Sequence, residues 1–311
     1  MKGIVIKSTG SWYSVRLENG NQIEARIKGK FRLKGIRTTN PIAVGDKVVL
    51  EEEKDGTAVI NEIEKRKNYI IRKSINLSKK SHILAANIDQ AILIVTISQP
   101  KTYTAFIDRF LVTAEAYHIP SVLIFNKIDL YSAEEKEELS FLKKSYEKIG
   151  YKCLVVSATE KTNLNKVIEL MKNKVSMISG HSGVGKTTLL NTIEPKLDLK
   201  TSAISSIHKA GKHTTTFAEM FELSFGGYVI DTPGIKAFGL IEMNKAELSH
   251  YFIEMRGLLK NCHFNNCLHI NEPKCAIKDA ITELEISEFR YLNYLAMYHD
   301  DEEENYRGLG Y

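Results

Sequence analysis

The sequence predicts a multidomain chain with a small all-β section, a central α/β domain on a mostly parallel sheet, and a mostly helical end around a cysteine-rich loop. Three observations predict it. Short strand-type runs separated by turn signals fill residues 1–66. Strand and helix patterns then alternate over residues 68–242. Finally, three of the four cysteines crowd between Cys262 and Cys275 within the otherwise helical residues 243–311. A chain of 311 residues is long enough for several separate cores.

In the first section, residues 3–6, 12–17, 22–27 and 47–50 are strand-like, split by Asn19-Gly20, Gly45-Asp46 and Asp55-Gly56. About five short strands in this length suggest a Greek-key barrel of the oligonucleotide-binding type, although another small barrel has the same periodicity. Residues 1–80 carry 18 Lys or Arg against 9 Asp or Glu, so this end is basic although the whole chain is only +5. Such an end suits a polyanion, most often nucleic acid; a solvated lysine-rich surface is the plain alternative. Trp12, Tyr13 and Phe31, interleaved with Arg and Lys, either form a base-stacking face or fill a small core.

In the second section, residues 89–97, 121–125, 153–156 and 175–178 read as buried strands. Residues 103–117, 133–149 and 164–172 read as helices. The glutamates at 134, 135, 137 and 138 mark a solvated helix face, and Cys153 reads as a small core residue. No apolar run approaches the roughly 20 residues needed to span a bilayer, and the N-terminus lacks the apolar core of a signal peptide. The expectation is a cytoplasmic, monomeric protein with no membrane association.

Chemistry enters at Gly180-His181-Ser182-Gly183-Val184-Gly185-Lys186-Thr187, which fits the phosphate-loop pattern in full and follows a strand. Its glycines let backbone N–H groups curl around phosphate oxygens. Lys186 faces the β and γ phosphates, and the Thr187 hydroxyl, followed by Thr188, is placed for Mg²⁺. Asn126-Lys127-Ile128-Asp129 follows a second strand. There the aspartate can accept from the N1–H and N2–H₂ edge of guanine, a donor pair adenine lacks. Ser157-Ala158, after a third strand, suits a backbone contact to the guanine oxygen. Asp231-Thr232-Pro233-Gly234 offers a carboxylate for Mg²⁺ and a glycine N–H near the γ-phosphate. One of Thr214, Thr215 and Thr216 is expected to complete the Mg²⁺ shell, with Thr215 the candidate; the sequence does not choose among them. The motifs therefore predict a GTP-hydrolysing domain.

Their order is rotated. The guanine-reading segment comes first, and the phosphate loop, the threonines and Asp231 follow, which predicts a circularly permuted domain; permutation is tolerable because domain termini lie close together at the surface. Ile235 occupies the position where many GTPases place a water-orienting glutamine. His213, beside the threonines, is the candidate to orient the water as a catalytic residue with Lys186 and Thr187; a packing or RNA-contacting histidine is the alternative.

Cys262, Cys267 and Cys275, with a histidine, give a donor set suited to tetrahedral structural zinc. His263 and His269 both compete for the fourth position on spacing alone.

Together the small barrel, the permuted domain, Gly211-Lys212-His213-Thr214-Thr215-Thr216, the segment Ala85-Ala86-Asn87-Ile88-Asp89-Gln90 and the cysteine loop resemble the ribosome small-subunit-dependent GTPases, over nearly the whole chain. The resemblance implies His269 as the zinc ligand, GTP as substrate with Mg²⁺, and the small ribosomal subunit with its rRNA as partner, late in subunit maturation. An RNA-binding protein with a vestigial nucleotide domain is disfavoured by intact Lys186, Thr187, Asp129 and Asp231, and an ATP-using phosphate-loop protein by Asp129.

Overall fold

A computed structural model describes residues 1–27, 41–73, 81–199, 218–231 and 244–299. Five strands come first: β1 (Lys2–Ser8), β2 (Tyr13–Leu17), β3 (Gln22–Ile27), β4 (Lys47–Glu52) and β5 (Ala58–Ile63). They close in the order β1-β2-β3-β5-β4-β1, every pair antiparallel except β3 with β5. Alternate side chains, among them Val5, Val15, Ala25, Val48, Leu50 and Ile60, point inward to one core. Fully burying each of the larger aliphatic ones contributes about 1.5–3 kcal/mol, which sets the strand register. The sequence left the type of barrel open; the closed five-strand ring decides for the oligonucleotide-binding type. Tyr13 is fully buried and serves the core, whereas Trp12 is 40% exposed at the β1–β2 turn. Phe31 lies outside the described residues.

A hairpin of β6 (Tyr69–Lys73) and β7 (Ser81–Ala86) joins the barrel to the α/β domain. It was not legible in the sequence, because Tyr69-Ile70-Ile71 has no polar–apolar alternation. At this joint Gly45 has φ +89°, and a Cβ there would lie 2.1 Å from the Ala86 carbonyl oxygen, so only glycine fits. Arg66 grips buried Asp46 with two 2.6 Å hydrogen bonds.

The α/β domain comprises β8 (Gln90–Val95), α1 (Thr104–Ala116), β9 (Ser121–Phe125), α2 (Ala133–Lys148), β10 (Lys152–Val155), α3 (Leu164–Met171), β11 (Val175–Ser179), α4 (Lys186–Ile193), β12 (Glu219–Glu222) and β13 (Tyr228–Asp231). The strand order is β10-β9-β8-β11-β13-β12, parallel except for β12, and β12 touches β1 of the barrel through the pair Lys7 and Glu219. Strands β8 and β9 are buried throughout, as parallel strands covered on both faces must be. Leu93, Val95, Leu123 and Phe125 meet Phe110 and Leu111 of α1 and Leu142 of α2 on one face. Ile92, Ile94, Val122 and Ile124 meet Val167 of α3 and Leu189 of α4 on the other. The rotated motif order is now spatial: the chain builds β8, β9 and β10, then crosses back to place β11 beside β8 in mid-sheet. Strand order reverses at that point, and the carboxyl ends of β8 and β11 open a crevice of the kind that binds ligands.

The C-terminal section has α5 (Ile253–Arg256), α6 (Ala276–Thr282) and α7 (Glu288–His299) after a 3-10 turn at Lys245–Tyr251. It packs against α1 of the α/β domain. Its core includes Val112 of α1 with Phe252, Met255, Ile277 and Tyr294. Beneath this core lies an ionic knot. Arg290 of α7 contacts Asp108 of α1 at 2.6 Å and forks onto Glu254 of α5 at 2.6 and 3.0 Å, with all three side chains buried. Burial pushes the Asp108 carboxyl up, against the pull of Arg290 and the bonds from Asn293 and Tyr146. Removing one member of such a cluster leaves a buried charge uncompensated and costs about 3–5 kcal/mol.

Candidate nucleotide site and metal centre

The phosphate loop leaves β11 and turns into α4. Gly180, Gly183 and Gly185 all have positive φ, a backbone course that side chains disfavour. A Cβ on Gly180 would lie 2.4 Å from the Ile94 carbonyl oxygen, and one on Gly185 would lie 2.5 Å from Asn126 Nδ2. The loop is thus a cradle whose inner wall has no room for side chains. Buried Val184 anchors its tip in the core beneath, and buried Thr187 and exposed Thr188 open α4. Lys186 Nζ donates to the carbonyls of Gly180 and His181 at 2.7 and 2.6 Å, so its ammonium lies across the cradle. Ser182 is exposed beside it, while the ring of His181 packs on Phe106 with centroids 3.7 Å apart. Burial and then the Lys186 charge hold the His181 pKa below its usual value.

Asn126 ties the two predicted motifs together. Its Nδ2 donates to the Val184 carbonyl at 2.9 Å, its Oδ1 accepts from the Ala158 N–H at 3.1 Å, and the residue is buried. One side chain therefore fixes the phosphate loop, the Asn126-Lys127-Ile128-Asp129 turn and the Ser157-Ala158 turn. Lys127 takes φ +66° and donates to the Gln99 carbonyl at 2.6 Å. Ile128 packs partly buried against the core beneath the turn. Asp129 keeps its carboxylate at the surface, where Thr159 Oγ1 donates to Oδ2 at 3.3 Å. Thr159, the Gln99-Pro100 turn that meets Gly183, and Tyr131, which donates to the Asn126 carbonyl, were missed by sequence reasoning. Their only signal was position: each lies within a few residues of a strand's carboxyl end.

Asp231 ends β13, next to β11, as the motif order required, but its side chain lies outside the described residues, as do Gly211, His213, Thr214, Thr215, Thr216, Gly234 and Ile235. A glycine-lined cradle, a lysine across it and a buried asparagine linking it to an exposed aspartate fit a guanine nucleotide.

The donor atoms of Cys262, Cys267, His269 and Cys275 all lie within 4.8 Å of one another. His269 Nδ1 faces the sulfurs of Cys262 and Cys275 at 3.6 and 3.4 Å. A tetrahedral zinc with Zn–S bonds of about 2.3 Å gives donor separations of roughly 3.8 Å, so the set fits. Burial holds the His269 pKa down and keeps the imidazole neutral, the ligating form. Burial and the neighbouring sulfurs push the Cys267 thiol up to about 12, a penalty that a divalent cation offsets. His263 is exposed against Phe264 and is not in the cluster, so the geometry selects His269. Glu272 steadies the loop by accepting from the Leu268 and Ile270 N–H groups at 2.8 and 2.9 Å.

This fold and these motifs define a circularly permuted GTPase with an N-terminal barrel and a Cys₃His zinc-type loop. Residues 63–241 match the family described as RsgA GTPase, and residues 2–60 match the RsgA N-terminal domain. The chain belongs to the RsgA GTPase family and is a GTP hydrolase. It is 56% identical over 310 residues to the small ribosomal subunit biogenesis GTPase RsgA of Christiangramia forsetii, covering 99% of this chain and 98% of that one. It is 53% identical over 307 residues to the protein of the same name from Bacteroides fragilis, covering 99% of each. Among solved structures it resembles YjeQ from Thermotoga maritima, with a TM-score of 0.79 and 36% identity over 96% of both chains. It also resembles YloQ, described as a circularly permuted GTPase, with a TM-score of 0.75 and 30% identity over 96% of this chain and 93% of that one. Among the described residues no helix is long and apolar enough to cross a membrane.

Proposed function

We propose that this GTPase binds the small ribosomal subunit and its rRNA and acts as a timed switch in late subunit maturation, GTP favouring docking and hydrolysis favouring release. The carrying observation is full-length identity above 50% to relatives named for small-subunit biogenesis, in a chain whose guanine-reading and phosphate-holding motifs meet through Asn126. In this reading residues 1–66 contact rRNA, residues 68–242 turn over nucleotide, and residues 243–311 form the zinc-binding unit of a cytoplasmic monomer.

Asp129 and the Ser157-Ala158 turn read guanine, with Lys127 and Ile128 flanking the base. The loop from Gly180 to Gly185 and Lys186 hold the β and γ phosphates. Thr187, Thr188, Thr215 and Asp231 are the Mg²⁺ side of the site, and Gly234 senses the γ-phosphate. Mg²⁺, when bound there, would neutralise the negative charge that develops on the phosphate oxygens. A water attacks the γ-phosphorus, the bond to the β–γ bridging oxygen breaks, and GDP, phosphate and a proton leave. With Ile235 unable to hold that water, neutral His213 accepts its hydrogen bond and aligns it.

Single-turnover hydrolysis with and without saturating small subunits tests this, alongside cosedimentation. The wild type is expected to be slow alone and accelerated by subunits, and Lys186→Ala to lose tight triphosphate binding. His213→Ala is expected to be slower on subunits by about 10²-fold while still docking. No acceleration by subunits rejects the ribosomal reading, and wild-type turnover in His213→Ala rejects that residue's role.

A further inference from the structure

Helix α1 touches the phosphate loop at one end and the C-terminal helices along one side. In its first turn the Phe106 ring packs on the imidazole of His181, centroids 3.7 Å apart and planes tilted by 34°. The same residue's carbonyl receives Lys186 Nζ at 2.6 Å, so the seat of His181 also sets where the phosphate-facing ammonium rests. Two residues on, Asp108 is fully buried. Its carboxylate accepts from Asn293 Nδ2 at 2.6 Å and Tyr146 OH at 2.8 Å, and meets Arg290 Nη1 at 2.6 Å. Two of these three partners, Arg290 and Asn293, lie on α7. The adjoining face of α7 holds the zinc-type loop, with Tyr291 OH donating to the His269 carbonyl and Tyr294 OH to the Leu268 carbonyl, both at 2.7 Å. A single rigid helix thus connects the cysteine loop to α1, and α1 to the phosphate loop.

We infer that Arg290 and Asp108 are positioning residues for nucleotide binding: they hold α1 where Phe106 seats His181, so the C-terminal helix sets the geometry of the phosphate loop. Helix α1 also rests on the sheet through Ile107, Phe110 and Leu111, so loosening the knot shifts the helix without freeing it. Coupling through packed elements of this kind changes affinity by a factor of roughly 2 to 30. The inference rests on the phosphate-loop reading above.

The test uses the full-length zinc-loaded chain as wild type, Asp108→Asn, Phe106→Leu, the double variant and Lys186→Ala. Each is titrated with a fluorescent GDP analogue, kcat and KM for GTP are measured, and melting and zinc content report folding. Each single variant at α1 is expected to weaken analogue binding and raise KM by about tenfold, with kcat much less changed. The double variant is expected to be no weaker than the weaker-binding single, because both changes break one link. Wild-type affinity in folded Phe106→Leu, or single effects that multiply in the double variant, overturns the inference. If Asp108→Asn does not fold, Arg290→Lys, which keeps the charge but not the fork, takes its place in the cycle. Analogue binding retained in Lys186→Ala overturns the phosphate-loop reading itself. Binding lost there but unchanged in Phe106→Leu overturns only the link to α7.

Discussion

At the scale of single residues, the proposed reading of guanine rests on a carboxylate that is exposed and therefore must be steered. Asp129 has one described side-chain partner, Thr159, at 3.3 Å. The same hydroxyl lies 3.1 Å from Ser157 Oγ, which in turn accepts from the Glu160 N–H at 3.0 Å. This short chain of hydrogen bonds locks the turn after β10 against the base-reading carboxylate. A net hydrogen bond contributes about 0.5–1.5 kcal/mol. Thr159→Val is therefore expected to weaken GTP binding by roughly 2- to 10-fold, with less effect on inosine triphosphate, which lacks the 2-amino group. Thr159→Ser should restore the wild-type preference. Calorimetric titration of both nucleotides checks this, and equal losses for the two would show that Thr159 supports the turn without aiming Asp129.

At the scale of elements, the metal loop and α7 behave as one unit. The loop has little regular structure of its own; it gathers four side-chain donors and is held by Glu272 and by the Tyr291 and Tyr294 hydroxyls. Small units with so little backbone pairing depend on the metal for folding free energy. Cys267→Ser is expected to lower bound zinc from one equivalent toward none and to destabilise residues 244–299 before the central sheet. Elemental analysis and hydrogen exchange resolve the two. Zinc-free wild-type protein, purified without chelators, that shows the same exchange protection would contradict a structural role. Helix α2 needs no such help: Ser132 and Glu135 form a reciprocal capping box at its start, an arrangement worth about 1 kcal/mol.

At the scale of the whole molecule, the barrel and the α/β sheet meet through β12, which lies in sequence between the threonine segment and Asp231. The joint is thin on the sheet side, a single residue pair supplemented by Lys7 with Glu219 at 3.1 Å and Arg16 with Glu222 at 2.5 Å. Exposed pairs of this kind contribute little, about 0–1 kcal/mol each. The barrel is held more firmly by Gly45 against Ala86, where the Ala86 N–H donates to the Val44 carbonyl at 2.8 Å and Asn87 Nδ2 to the Gly45 carbonyl at 2.9 Å. Residues 1–66 also carry 13 Lys or Arg against 9 Asp or Glu, a net positive charge. Removing them is expected to weaken small-subunit binding far more than nucleotide binding, and to flatten the fall of binding with salt, because phosphate contacts release counterions. Cosedimentation across a salt series checks this; a truncated chain that pellets with subunits as the full chain does would move the rRNA contact elsewhere.

The linear sequence determined whatever depends on local spacing. The period-2 runs of the barrel, the apolar strands at 121–125 and 175–178, the phosphate-loop glycines and the three-cysteine donor set were all legible, because backbone conformation and ligand chemistry act over a few residues. Even the permutation could be read, since motif order is a property of the chain. Tertiary structure alone decided the rest. It buried His269, which the resemblance implied but spacing left open, among the sulfurs and left His263 in solvent. It sent Tyr13 to the barrel core and left Trp12 partly exposed. It joined Asp108 to Glu254 and Arg290, which lie more than a hundred residues further along the chain and share no motif with it. A buried charge is stable only where its partner is brought to it, and which side chains meet is set by the packing of whole helices, which no local pattern records.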